Sequence, residues 1–228
     1  MIRKAHRYLG LFLGIQFLFW TLSGLYFSWT DIDDIHGDQF KSRFDAQFDI
    51  EYFKGFDGFN EVKKIRTLEL VAIGDRPFFW LNDSILVNVE TGVSKSYVTE
   101  SEAIHIAQNN LRAGLEVLSI VKLDSVGPHH EYRGRPLPAY EISYKTPENL
   151  KAYVAVSSGK FQTVRHRSWR WFDFLWMTHT MDYEGRDNFN TALLRFFSLA
   201  GLVTVLSGFV LWAATSPRMR KMWSKLKG

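Results

Sequence analysis

Two stretches of this chain carry no charge. Tyr8–Thr30, YLGLFLGIQFLFWTLSGLYFSWT, runs for 23 residues, and Phe196–Ser216, FFSLAGLVTVLSGFVLWAATS, for 21. As a helix, each is long enough to cross the roughly 30 Å of bilayer hydrocarbon. Trp20 lies inside the first, whereas Tyr26, Trp29 and Trp212 lie near ends, where aromatic rings favour the membrane interface. Residues 31–195 between them alternate strand-like and helix-like patterns. Thr99 followed by Glu102 reads as a capping box, and Ala103, Ile104, Ala107 and Leu111 then share one helical face, with Gly114 as the stop signal. Val117–Leu123, Ala139–Tyr144 and Ala152–Val156 are rich in β-formers, and Tyr140, Ile142 and Tyr144 alternate with polar or small neighbours. TPEN, residues 146–149, is turn chemistry between the last two strands.

The plan repeats. Pro77-Phe-Phe-Trp-Leu, a short polar break and Ile85-Leu-Val-Asn-Val-Glu-Thr-Gly92 make one hairpin. Pro138-Ala-Tyr-Glu-Ile, a longer break and Ala152-Tyr-Val-Ala-Val-Ser-Ser-Gly159 make another. The fold class is therefore α+β: antiparallel strands with short helices, in two tandem units, anchored by two transmembrane helices. The layout divides into 1–30 (N-terminus and first span), 31–195 (the central region with an amphipathic segment near the membrane), 196–216 (second span) and 217–228 (basic tail). Asn82-Asp83-Ser84 matches a glycosylation acceptor, a triplet common by chance.

Charge orients this layout. Arg3, Lys4 and Arg7 precede the first span without an acid, and Arg218, Arg220, Lys221, Lys225 and Lys227 follow the second, again without one. Without those eight, 20 bases face 24 acids, so the net charge of +4 belongs to the two ends. That argues against a nucleic-acid partner. Both basic flanks on one side put both termini in the cytoplasm and the 165 residues from Asp31 to Arg195 across the membrane, in a bacterium the periplasm. The competing reading of the first span, a cleaved signal peptide, conflicts with its length and the lack of an A-x-A site. Zero Cys excludes disulfides, thiolate zinc sites, iron–sulfur clusters, c-type haem attachment and a Cys nucleophile.

Candidate chemistry rests on seven histidines. His6 stands one turn outside the first span, and Gly10, Gly14 and Gly24 follow at offsets 4, 8 and 18, near one helical face. A histidine above a glycine groove suits a close helix partner through Gly10-x-x-x-Gly14, or a flat porphyrin with the imidazole as axial ligand. It equally suits an interfacial histidine among basic neighbours. Thr204 with Gly208 is the matching small-residue face of the second span. His179, in SWRWFDFLWMTHT, shares an amphipathic face with Phe172, Leu175 and Trp176, as a ligand or as part of an aromatic anchor. His129 and His130, beside Glu131, and His36, among Asp31, Asp33, Asp34 and Asp38, are metal candidates; a solvated loop and a solvated acidic turn are the alternatives. His105 and His166 read as surface residues. No G-x-S-x-G elbow, P-loop, Rossmann glycine pattern or H-E-x-x-H motif is present, so any enzyme activity belongs to a cofactor.

Two resemblances bear on these residues. VTESEAIHIAQNNL, a strand, then LPAYEISYK and KAYVAVSSGKFQTV resemble a PepSY module, its closing turn at Tyr153–Lys160. His6-Arg7-Tyr8-Leu9-Gly10-Leu11 resembles the opening of the first span in the PepSY-associated transmembrane family. Met177-Thr178-His179-Thr180 and Ser207-Gly208-Phe209-Val210-Leu211-Trp212 are similar to its later motifs. The chain departs from the family in Thr178, where Leu is usual, and in having two spans where many relatives have four. The first reading the resemblance implies is an inner-membrane protein whose periplasmic module binds or regulates an unidentified protein or peptide. The alternative follows membrane siderophore–iron reductases that look like two fused copies of this layout. In a homodimer, His6 and His179 with their symmetry mates would then hold haem b on the two sides of the bilayer, for electron transfer to a ferric complex. A third possibility is a structural accessory subunit of a larger membrane complex.

Overall fold

The computed structural model describes residues 2–43, 47–49, 51 and 64–217. The element order is α1 (Ile2–Trp29), α2 (Ile32–His36), a 3₁₀ turn (Asp38–Phe40), β1 (Leu68–Ile73), β2 (Arg76–Leu81), β3 (Ile85–Asn88), β4 (Ser94–Lys95), α3 (Glu100–Asn110), β5 (Val117–Leu123), β6 (Ala139–Tyr144), β7 (Lys151–Ala155), β8 (Phe161–Arg165), α4 (Arg167–Thr180) and α5 (Ala192–Thr215). Contacts divide the chain into a sheet unit, residues 31–171, and a helical unit made from the described residues of 1–30 and 172–228. The amphipathic segment near the membrane falls, from Phe172 onward, in the same unit as the long helices.

The sheet unit holds two four-stranded antiparallel sheets in the orders β1-β2-β3-β4 and β5-β6-β7-β8. The two hairpins anticipated from sequence supply the middle strands of each, and the repetition reaches single hydrogen bonds. Val89 N–H donates to Pro77 O at 3.1 Å and Val156 N–H to Pro138 O at 3.0 Å. Gly92 N–H donates to Asn88 O and Gly159 N–H to Ala155 O, both at 2.9 Å. Both glycines adopt positive φ, 68° and 66°, which explains why each hairpin closes on Gly.

One core joins the units of this repeat. Phe78, Trp80 and Leu86 from the first sheet, Ile142, Ala152, Val154 and Val164 from the second, and Ala103, Ile106 and Ala107 of α3 share a cluster. The capping box is present: the Thr99 side chain accepts from Glu102 N–H, and Glu102 Oε2 accepts from Thr99 N–H at 2.8 Å. The helix departs from expectation in two details. Ile106, not Ile104, is the large buried residue of its inner face. It also ends before Gly114, with Leu111 already extended as C-cap. The cause is competition for backbone partners: Arg112 N–H donates to Phe40 O, Ser42 N–H to Asn110 O, and Leu111 bridges to Lys41, drawing the chain into strand-like pairing. Gly114 then turns at φ 86° outside the helix.

The helical unit has the opposite distribution of side chains. α1 and α5 contain stretches long and apolar enough to cross a membrane, His6–Trp29 and Ala192–Thr215, and only 11% of each window is buried. A core helix of a soluble protein hides most of its apolar surface; these helices display it, with Leu11 71% and Phe209 63% exposed. Few of their residues are buried: Leu13 and Ser23 on α1, and the small Gly201 and Thr204 on α5. The basic residues Arg218, Arg220, Lys221, Lys225 and Lys227 lie outside the described residues.

Candidate functional site

The seam between α1 and α5 is set by glycine on α5. A Cβ at Gly201 would come within 2.9 Å of the Phe17 ring, and one at Gly208 within 3.3 Å of His6 Cε1. These small positions admit an aromatic ring and an imidazole to the helix surface. Phe12 and Phe197 stack across the same seam, ring centroids 5.8 Å apart. His6 is thus held against α5, its Nδ1 2.7 Å from Ser207 Oγ. Ser207 Oγ also lies 2.7 Å from Thr204 O, one turn back on its own helix.

The other end of α1 carries a matching arrangement. α4 ends beside it, pinned by Trp20, whose Nε1–H donates to His179 O at 2.8 Å. His179 Nδ1 lies 2.7 Å from Ser23 Oγ, which itself approaches Phe19 O at 2.7 Å. The imidazole sits edge-on to Phe27, centroids 5.6 Å apart, and Phe172 and Trp176 pack on the same ring at 4.9 and 5.7 Å. The expected apolar face therefore exists, and Phe27 is its partner. Burial lowers the pKa of His179, favouring the neutral imidazole. The segment after α4 is fixed by Asp182, which accepts from the N–H groups of Glu184, Gly185 and Asn188, and by an Asp173–Arg186 ion pair at 2.8 Å.

Among the described residues nothing lies within 4 Å of a Cβ built on Gly10 or Gly14, so that part of the groove is open, whereas Gly24 meets His179 Cε1 at 4.0 Å. The α5 face, Thr204 with Gly208, is the one used inside the chain; Gly201, the tightest approach, was not singled out from sequence.

The remaining histidines separate. His36 is exposed at the end of α2, whose acidic residues make an ordinary capped turn: Asp31 accepts from Asp33 N–H. His129 is exposed, while His130 Nδ1 accepts from Tyr132 N–H at 3.1 Å and its Nε2 lies 3.7 Å from Glu141. Among the described residues no group of three or more His, Asp or Glu is arranged to hold a metal ion. His105 is half-buried near Gly74. His166 is not a surface residue: it is 2% exposed, with Nε2 3.2 Å from Ile35 O. Its burial lowers its pKa.

Sequence reasoning also missed a charged network in the sheet unit. Arg170 grips Glu131 through Nε at 2.6 Å and Nη2 at 3.1 Å, and the Tyr153 hydroxyl reaches Glu131 at 2.7 Å and Glu141 at 2.8 Å. Lys151 completes it at 2.7 Å from Glu141. Against burial, which raises it, hydrogen bonds from Arg170 and Tyr153 and the charges of Arg170 and Lys151 hold the Glu131 pKa below its ordinary value. Tyr132 stacks on Tyr153 at 4.7 Å, so the network fastens the 127–136 loop over β6 and β7. No protein-family model, curated protein or solved structure matches the chain.

Proposed function

We propose that the chain is a two-span membrane protein with cytoplasmic termini, and that two copies hold haem b between them to carry electrons across a bacterial inner membrane. The observation that carries this reading is the pair of imidazoles. His6 and His179 are each anchored through Nδ1 to a serine of a neighbouring helix, and neither Nε2 has a hydrogen-bond partner among the described residues. His6 and Ser23 are 17 positions apart on α1, about 25 Å along the axis, close to the thickness of the hydrocarbon layer.

The donor set fits haem b and not a closed metal site. An imidazole nitrogen at each end suits an axial position, but one chain supplies only one such nitrogen at each level. A second copy supplies the other, as the resemblance to fused two-copy reductases implies. When bound, haem supplies one-electron chemistry. The chain's own contribution is orientation: Ser207 and Gly208 seat His6, while Ser23, Trp20 and Phe27 seat His179. The lipid-facing apolar surface of α1 and α5 excludes water from both, and the basic flanks favour cytoplasmic ends.

The test is the haem content of the detergent-purified protein. The expected result is one haem per chain, falling to about half in His6→Ala or His179→Ala and to none in the double variant. Purified protein without Soret absorption, or a double variant with unchanged haem, removes the proposal. A second reading, a periplasmic binding module, is favoured by one feature: a cavity of about 250 Å³ opens beside Tyr144, and a larger one of about 400 Å³ is lined by Tyr97, Tyr140, Lys122, Ser96 and Ser157. Haem-free protein that retains a ligand in the larger cavity would support it.

A further inference from the structure

We infer that Ser23 and Ser207 are positioning residues that fix the tautomer of His179 and His6, keeping the ring proton on Nδ1 and the Nε2 lone pair open to a ligand. The argument is an accounting of protons. Each serine hydroxyl has one hydrogen, and backbone carbonyl and imidazole neighbours compete for it. For Ser207 they are Thr204 O at 2.7 Å and His6 Nδ1 at 2.7 Å. For Ser23 they are Phe19 O at 2.7 Å, with Trp20 O at 3.1 Å, and His179 Nδ1 at 2.7 Å.

A backbone carbonyl only accepts, so the hydroxyl hydrogen must point there if that contact is a hydrogen bond. The serine oxygen is then left as an acceptor, and the contact to Nδ1 is a hydrogen bond only if Nδ1 carries the proton. The reverse tautomer leaves two lone pairs facing each other, or breaks the bond to the carbonyl. One assignment satisfies both contacts at both sites. A neutral imidazole with its proton on Nδ1 has its lone pair on Nε2, the state an axial ligand requires. The same device appears twice on different helix pairs, α1 with α5 and α4 with α1, which separates it from a chance contact.

The inference rests on the proposed reading only for the identity of the ligand; the tautomer is a property of the chain. It is tested by nitrogen NMR on histidine-labelled, haem-free protein in detergent micelles, with signals assigned from His6→Gln and His179→Gln. The expected result is Nδ1–H and unprotonated Nε2 at both rings. Ser23→Ala should release His179 to a mixture of tautomers without changing His6, and Ser207→Ala should do the converse. Ser23→Thr and Ser207→Thr, which keep the hydroxyl, should restore the wild-type spectrum. Haem titration of the same variants should show affinity reduced about 10- to 100-fold by each alanine and recovered by threonine. An Nε2–H ring in the wild type, or a tautomer indifferent to alanine, overturns the inference. The two proposals fail separately. The expected tautomers without haem binding sink the electron-transfer reading alone, while haem binding to rings of the opposite tautomer sinks this one alone.

Discussion

The sheet unit and the helical unit solve opposite solvation problems with the same amino acids. In the sheet unit large apolar side chains go inside: Leu86, Ile142 and Val154 have no exposure, while Lys145, Glu116 and Glu100 face outward. In the helical unit most large apolar side chains are outside, Leu11, Leu202 and Phe209 among them, while Gly201 and Thr204 are buried along with Leu13. A polar inner stripe and an apolar surface are stable when the surroundings are hydrocarbon, because backbone groups are already paired within each helix and packing is driven by close approach. On the membrane reading, exposure means different things in the two units.

That contrast is open to attack by substitution. Leu86→Ala, in the shared core, should lower the stability of the full chain by about 2–5 kcal/mol, read from thermal unfolding of the sheet unit in detergent. Leu202 and Tyr97 are similarly exposed, at 54% and 59%. Leu202→Arg, at the middle of α5, should impair insertion by about 3–4 kcal/mol, measured as the fraction of chain integrated into membranes. Tyr97→Arg should stay within about 0.5 kcal/mol of wild type. Equal tolerance of both arginines would erase the distinction between the units.

Glycine sharpens it further. Gly201→Val forces Phe17 away and should destabilise the helix pair by about 1–3 kcal/mol, seen as a lower melting temperature in detergent. At Gly10 a Cβ meets nothing within 4 Å among the described residues, so the effect of Gly10→Val should appear in the dimer fraction and not in the stability of the monomer. The capping box gives a smaller effect: Thr99→Ala should remove about 1 kcal/mol from the sheet unit.

A further effect is on acid stability. His166 is buried neutral, so its folded pKa lies below the unfolded value near 6.5. Below about 6.5 the unfolded chain takes up a proton that the folded chain resists, so stability falls as pH drops toward the folded pKa. The stabilising contribution is complete above the unfolded value. Thermal midpoints measured from pH 7 to pH 5 should decline, and less steeply in His166→Gln.

Local chemistry was readable and distant pairing was not. The long uncharged helices, the Thr99–Glu102 cap and the two hairpins depend on neighbours a few residues away, and all are present. The burial of His166 depends on Ile35, 131 positions distant, and the Glu131–Arg170 pair spans 39. His6 and His179 stood out by residue type, but Ser23 and Ser207 are unremarkable in an apolar helix. Their role emerges when the partners 156 and 201 positions apart are brought together. The one available hint was that Ser207 precedes Gly208 on the small-residue face. The helix end at Asn110 was misplaced because pairing with residues 40–42 overrides a glycine stop.

The central claim is that the exposed apolar surface of α1 and α5 meets lipid while the sheet unit meets water on the far side from the termini. The chain lacks cysteine, so single introduced thiols report on it directly. In intact spheroplasts, a membrane-impermeant maleimide should label Ser101→Cys in the sheet unit. It should leave Val210→Cys unlabelled until the membrane is dissolved and the chain denatured. Rapid labelling of Val210→Cys in native membranes, or protection of Ser101→Cys until the cells are broken, contradicts the account.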